Sequence, residues 1–275
     1  MSKVIVSYGG GTNSTALLVG LHERGERVDA ISFSDTGDEK PHTYSAIEEV
    51  SRWCVSVGFP AVEIIREEYW LPQQVKDGSL SGECLRLGTL PAKAFGFGTC
   101  SIKWKIEPGQ RWLRRWCDTN GVSLEDVVRL VGFDAGEPER VERAQRLAET
   151  KNVLPRQLYP LYDWGWGRDE CVAAIARAGL KAVGKSACFM CPSSKKWELI
   201  DLRDNYPDLM ARALEIERRA MAGEGRANAA RVGLGRQFEW GEFLRNAEAQ
   251  AEMFAPAACD TVVDVCDSCY DGEAA

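Results

Sequence analysis

At 275 residues, with 45% hydrophobic and 27% charged side chains, the chain can bury a substantial core, which excludes a disordered or low-complexity class. Its formal net charge of -7 excludes a surface that grips nucleic acid everywhere through phosphate contacts and leaves room only for a local basic groove. No apolar run approaches membrane-spanning length, and no charged-then-apolar leader opens the sequence, so the expected location is the cytoplasm, without a membrane partner. In that compartment the ten cysteines read as buried, metal-binding or reactive thiols rather than a disulfide framework. With only His22 and His42 present, a metal site must lean on sulfur.

Val4-Ile5-Val6 predicts a first strand, Gly9-Gly10-Gly11 a loop, and the run from Thr15 to Val19 a helix. A second apolar run, Val28 to Phe33, ends in Asp35-Thr36-Gly37, and a helix is expected from about His42 to Val57. Ala61 to Ile65 reads as a third strand and Val127 to Phe133 as a fourth. Between them, Tyr69 to Gly98 has poor periodicity and reads as a long irregular excursion, a kind of segment that is often functional. Pro207 to Gln250 is helical and charged, interrupted by "AGEGRANAARVGLGR", and a cysteine-bearing tail follows. The basic stretches Arg111 to Arg115 and Glu217 to Arg236 read first as solvated helix faces. Alternating strands and helices predict an α/β fold with a mostly parallel sheet covered on both faces, ligands at the carboxyl ends of its strands, and a helical C-terminal extension. The division expected is 1–205 for the nucleotide and cysteine domain and 206–275 for the extension with its tail.

Glycines let backbone amides approach a phosphate closely, and the N-terminus of the next helix adds positive partial charge. The sequence lacks the Walker lysine and does not spell the dinucleotide pattern. Gly9-Gly10-Gly11-Thr12-Asn13-Ser14 instead resembles the PP-loop of ATP pyrophosphatases, commonly S-G-G-x-D-S, with Gly9 in place of serine and Asn13 in place of aspartate. Asp35-Thr36-Gly37-Asp38-Glu39 resembles the D-T-G-x-E segment of the sulfonucleotide reductase branch of that superfamily, although an exposed acidic turn would look the same. "LVGFDAGEPERVERA" resembles its glycine-rich segment after the fourth strand, with Gly132, Glu137 and Arg140 in the matching places. "CSIKWKIEP", from Cys100, and "GKSACFMCPSSKKWELIDL", with Cys188-x-x-Cys191, resemble the two cysteine segments of its cluster-bearing members, Ser101 replacing the second cysteine of a pair. The likeness runs from about Val4 to Glu217 and is to phage and bacterial phosphoadenosine phosphosulfate reductase-like proteins, related to DNA phosphorothioation ATP pyrophosphatases.

The resemblance implies an adenine nucleotide alpha hydrolase-like fold, with ATP and magnesium as ligands. It implies nucleotide contacts at Ser7, Gly9, Gly10, Gly11, Thr12, Asn13, Ser14, Asp35, Thr36, Gly37, Glu39, Gly132, Glu137 and Arg140. It also implies a 4Fe-4S cluster, with zinc as the alternative, on Cys100, Cys188 and Cys191. Either one iron stays open or a fourth thiolate comes from Cys84, Cys266 or Cys269; Cys266 and Cys269 could equally form a separate zinc site with Cys259. Cys54, Cys117 and Cys171 read as core residues. The activity expected is AMP-forming, pyrophosphate-releasing activation of a nucleotide or nucleic-acid base for sulfur transfer, served by a sulfur-donor protein. The alternatives are a sulfonucleotide reductase, disfavoured because the tail carries "CDSCYDG" with no histidine, and a nucleotide- and cluster-binding partner without turnover. No catalytic residue is assigned.

Overall fold

The structure is a computed structural model and describes residues 2–66, 78–96, 98–151, 155–223 and 233–254. The chain runs β1 (Lys3–Ser7), α1 (Thr12–Glu23), β2 (Ala30–Asp35), α2 (Pro41–Ser56), β3 (Val62–Arg66) and α3 (Leu80–Leu87). A 3₁₀ turn (Ala92–Phe95), α4 (Thr99–Ser101) and a π-helical turn (Ile102–Ile106) lead into α5 (Glu107–Asn120), and a second 3₁₀ turn (Leu124–Asp126) precedes β4. Then come β4 (Val127–Val131), α6 (Pro138–Lys151), β5 (Arg156–Leu158), α7 (Pro160–Asp163), α8 (Arg168–Arg177), α9 (Lys196–Asn205), α10 (Pro207–Met221) and α11 (Trp240–Phe254).

All strand pairings are parallel, in the order β3-β2-β1-β4-β5, with Val6 opposite Ile31 on one side and Leu130 on the other. Side chains alternate across a strand, so neighbouring residues serve opposite faces. Val6, Ile31, Phe33 and Leu130 pack with α1, α2 and α8, whereas Ile5, Ala30, Ile65 and Val127 pack with Trp112, Leu113 and Cys117 of α5. Burial on both faces explains why β1 and β2 read as unbroken apolar runs. Each fully buried aliphatic contributes about 1.5–3 kcal/mol. The α/β expectation is met, and Cys54, Cys117 and Cys171 are buried as expected.

Two elements were not legible. β5 is only Arg-Gln-Leu, too short and polar to show a period. Within the excursion, α3 is set by its ends rather than its pattern: the Ser79 hydroxyl accepts from the Gly82 amide, and Gly88 closes the helix at φ 58°.

A further packing centre joins α3, the 3₁₀ turn and Trp104 to Phe189, Met190, Leu199 and the helices α10 and α11. Glu217 on α10, itself buried, accepts from the amides of Leu234, Trp240 and Gly241 at 2.7–2.9 Å and so fixes where α11 begins. The helices of the expected extension thus pack against α3 and α9.

Candidate functional site

The strand order reverses direction between β1 and β4, and in open parallel sheets the crevice at such a point, beyond the strands' carboxyl ends, is where ligands sit. The glycine loop leaves β1 there. Gly10 holds φ +71°, and a Cβ on it would stand 3.0 Å from the Phe33 ring, so the turn requires glycine. Gly11 caps α1, whose first-turn amides have no acceptors within the helix. Ser14 closes the loop on itself, accepting from the Gly11 amide and donating to the Gly11 carbonyl. Gly132, leaving β4, lies so close to α1 that an added Cβ would meet the Ser14 amide nitrogen at 3.0 Å.

The two exits are tied together by Asn13, one of the two loop residues that depart from the resembling pattern. Asn13 donates through Nδ2 to Asp134 at 2.9 Å and Glu137 at 3.3 Å, and Glu137 in turn accepts from Arg140 at 2.8 Å. An aspartate at position 13 would oppose two carboxylates; the amide satisfies both. Thr12 donates to the Val183 carbonyl, laying the 183–188 segment across the loop. Ser7 faces the sheet instead, accepting from the half-buried Arg129 at 2.7 Å.

The acidic turn after β2 is engaged from within. Asp35 accepts from Arg66 at 2.9 Å, the Tyr44 hydroxyl at 2.8 Å and the Gly37 amide at 2.8 Å. Asp38, missed by the motif, receives the Ser81 amide and hydroxyl; burial pushes its carboxyl up to about 6 despite these bonds and the nearby Arg212. Glu39 accepts from Lys105 at 2.7 Å and Ser186 at 3.2 Å, and its backbone bridges to that of Cys188. Burial would lower the pKa of Lys105, but the pull of the Glu39 carboxylate outweighs it and leaves that pKa raised. Gly37 supplies a left-handed turn at φ +76°.

These parts meet at a cavity of about 380 Å³. Gly9 of the loop, Thr36 after β2 and Arg140 of α6 line it together with Cys100, Cys188 and Cys191. Lys93, Lys105 and Lys185 join Arg140 in its wall, and no carboxylate does among the described residues, so the wall is basic, with Glu39, Glu198 and Glu137 pairing with Lys105, Lys185 and Arg140 from outside it. The lysines carried no motif; Lys105 and Lys185 lie inside the two cysteine segments, and Lys93 lies in the irregular excursion before them. Lys105 rides on the π-helical turn, a distortion frequent at functional sites.

Cys188 lies 3.1 Å from the Thr36 hydroxyl, and burial, reinforced by Glu39, pushes its thiol well up. As a donor set, three thiols on one wall suit zinc or an iron-sulfur centre. Among the described residues they do not converge into a group of three or more ready ligands, so metal binding would require them to close together and Cys188 to lose its proton. Cys84 borders a neighbouring cavity that Cys100 also lines. Cys259, Cys266 and Cys269 lie outside the described residues. No described helix is long and apolar enough to cross a membrane.

No protein-family profile matches the chain. An uncharacterized protein of Methanocaldococcus jannaschii is 24% identical over 208 residues, covering 75% of this chain; the chain spans 39% of the length of that relative. Among solved structures, the chain is similar to the U34-tRNA thiolase NcsA from Methanococcus maripaludis with its 4Fe-4S cluster, at 16% identity and a TM-score of 0.43, over 83% of this chain and 76% of that one.

Proposed function

We propose that the protein is an ATP-dependent, AMP-forming enzyme that releases pyrophosphate while activating a nucleotide or nucleic-acid base for sulfur transfer. The observation that carries this reading is the shared cavity, in which a glycine loop at the sheet's switch point, basic side chains and Cys100, Cys188 and Cys191 face the same space. A triphosphate laid against the loop would find the α1 amides and the charges of Lys93, Lys105, Arg140 and Lys185. Asp134 and Glu137, tied to Asn13, are the carboxylates through which magnesium would be held beside it. Thr36 lines the cavity directly, whereas Glu39 serves the site through Lys105 and Ser186, and Asp35 through the turn it fixes.

In this reading an acceptor oxygen attacks the α-phosphorus, the bond to the bridging oxygen breaks, and pyrophosphate leaves with that electron pair. A sulfur nucleophile such as hydrosulfide then displaces AMP from the activated carbon. Cys100, Cys188 and Cys191 would hold an iron-sulfur or zinc centre, which when bound supplies or positions the sulfur. A cytoplasmic location, a sulfur-donor protein and the division at residues 205 and 206 belong to the same proposal.

The test is pyrophosphate release from magnesium-ATP in the presence of nucleosides, RNA or DNA, using protein purified anaerobically and analysed for iron, acid-labile sulfide and zinc. Acceptor-dependent release is expected. Absence of ATP binding and of release with every acceptor would overturn the reading.

A further inference from the structure

We propose that the apolar cavity next to the basic one is the acceptor pocket and that it takes an uncharged heteroaromatic ring of nucleobase size. This deepens the reading above and rests on it only for the identity of the acceptor. The pocket has a volume of about 580 Å³ and shares Leu80, Pro91 and Cys100 with the basic cavity, so one thiol borders both spaces. The rest of its wall is mostly apolar, from Leu87, Leu90, Phe95, Ile102 and Trp104. Its charged members are already engaged: Glu83 accepts from Lys103 and from the Trp104 indole at 3.1 Å, and Glu107 faces Arg111 at 3.9 Å.

This charge pattern decides the ligand class. Among the described residues the basic cavity has four cations and no carboxylate in its wall, the partners of Lys105, Lys185 and Arg140 (Glu39, Glu198 and Glu137) standing outside it, whereas the neighbouring wall holds Lys103 together with its own partner Glu83. A phosphate entering the second space would lose hydration without gaining a counter-charge, while a neutral ring would bury apolar area against two aromatic side chains. Size and composition match small-molecule pockets in general. The indole bond to Glu83 holds the Trp104 ring in place, so the wall is preformed. A ring seated there would present its edge toward Cys100 and the cavity beyond it.

The experiment is equilibrium dialysis of uridine, cytidine, guanosine and inosine, each with and without saturating magnesium-ATP. Leu87→Glu and a matched control, Val55→Glu, are compared with the unaltered protein; Leu87 and Val55 are 41% and 59% exposed, so either charge can be carried without unfolding. At least one nucleoside should bind together with ATP, and Leu87→Glu should weaken that binding about fivefold or more while Val55→Glu leaves it within twofold. Binding that ATP abolishes, binding insensitive to Leu87→Glu, or no nucleoside uptake would overturn the proposal. ATP binding measured alone reports separately on the enzyme reading, so the two can fail independently.

Discussion

The glycine loop and the acidic turn leave adjacent strands at the same edge of the sheet, yet they are wired in opposite ways. The loop turns its backbone toward a cavity, with Gly9 in the wall and the α1 amides behind it. The turn closes its carboxylates on the protein: Asp35 on Arg66 and Tyr44, Asp38 on Ser81, Glu39 on Lys105 and Ser186. All three carboxylates are thus bonded within the protein, and the partner of Glu39, Lys105, lines the cavity. The difference lies in the partners: Tyr44 follows nine residues after Asp35, but Arg66, Ser81, Lys105 and Ser186 come from distant parts of the chain.

Glu39→Ala should expose that wiring most severely. Breaking a pair buried on both sides costs about 3–5 kcal/mol, and the 35% exposure of the Lys105 side chain brings the expectation toward about 3 kcal/mol. Urea unfolding should register this loss, with Glu39→Gln recovering part of it through Ser186. A variant that keeps full stability but loses ATP affinity would mean that the carboxylate faces ligand after all.

Asp38 gives a pH signature. Its folded carboxyl titrates near 6, above the ordinary value of 3.8, so between these values the folded state holds more proton than the unfolded one. Its contribution is favourable at low pH and is lost as pH rises through about 6, by at most about 2–3 kcal/mol. Asp38→Asn lacks this penalty, so its stability relative to the unaltered protein should improve from pH 4.5 to pH 7.5. A constant gap would contradict the buried placement.

Asn13→Asp should cost about 1–2 kcal/mol, because it removes the donor that Asp134 and Glu137 share and adds a third carboxylate. Thermal melts should show the deficit shrinking with added magnesium. On the other side of the comparison, Gly9→Val should change stability by less than about 1 kcal/mol, since a Cβ there meets nothing nearer than 3.6 Å, yet it should lower ATP affinity by crowding the cavity. Gly10→Val is a poorer probe, because φ +71° and the Phe33 ring make it a folding variant as well.

The sequence made the loop visible because three glycines follow an apolar strand, and it placed Cys100, Cys188, Cys191 and Arg140 in segments that the fold does bring to one cavity. It could not show that Ser7 is taken up by Arg129 or that Asp35 is taken up by Arg66, since those bonds depend on strand order. Lys93, Lys105 and Lys185 were invisible for a related reason. A lysine is common on any surface, and only the closure of three distant segments around one space gives these a shared direction. The apolar pocket likewise depends on α3, whose eight residues are too few to declare a period.

The most direct test is alkylation of the thiols by N-ethylmaleimide, followed by mass spectrometry, with and without saturating magnesium-ATP. Cys100 and Cys191 are partly exposed in the cavity wall, whereas Cys54 and Cys171 are buried and serve as unreactive references. If the glycine loop and the cysteine wall enclose one nucleotide site, ATP should slow modification of Cys100 and Cys191 about tenfold and leave the references unchanged. ATP that binds, as shown by dialysis on the same sample, without altering the rate at either cysteine would contradict the account.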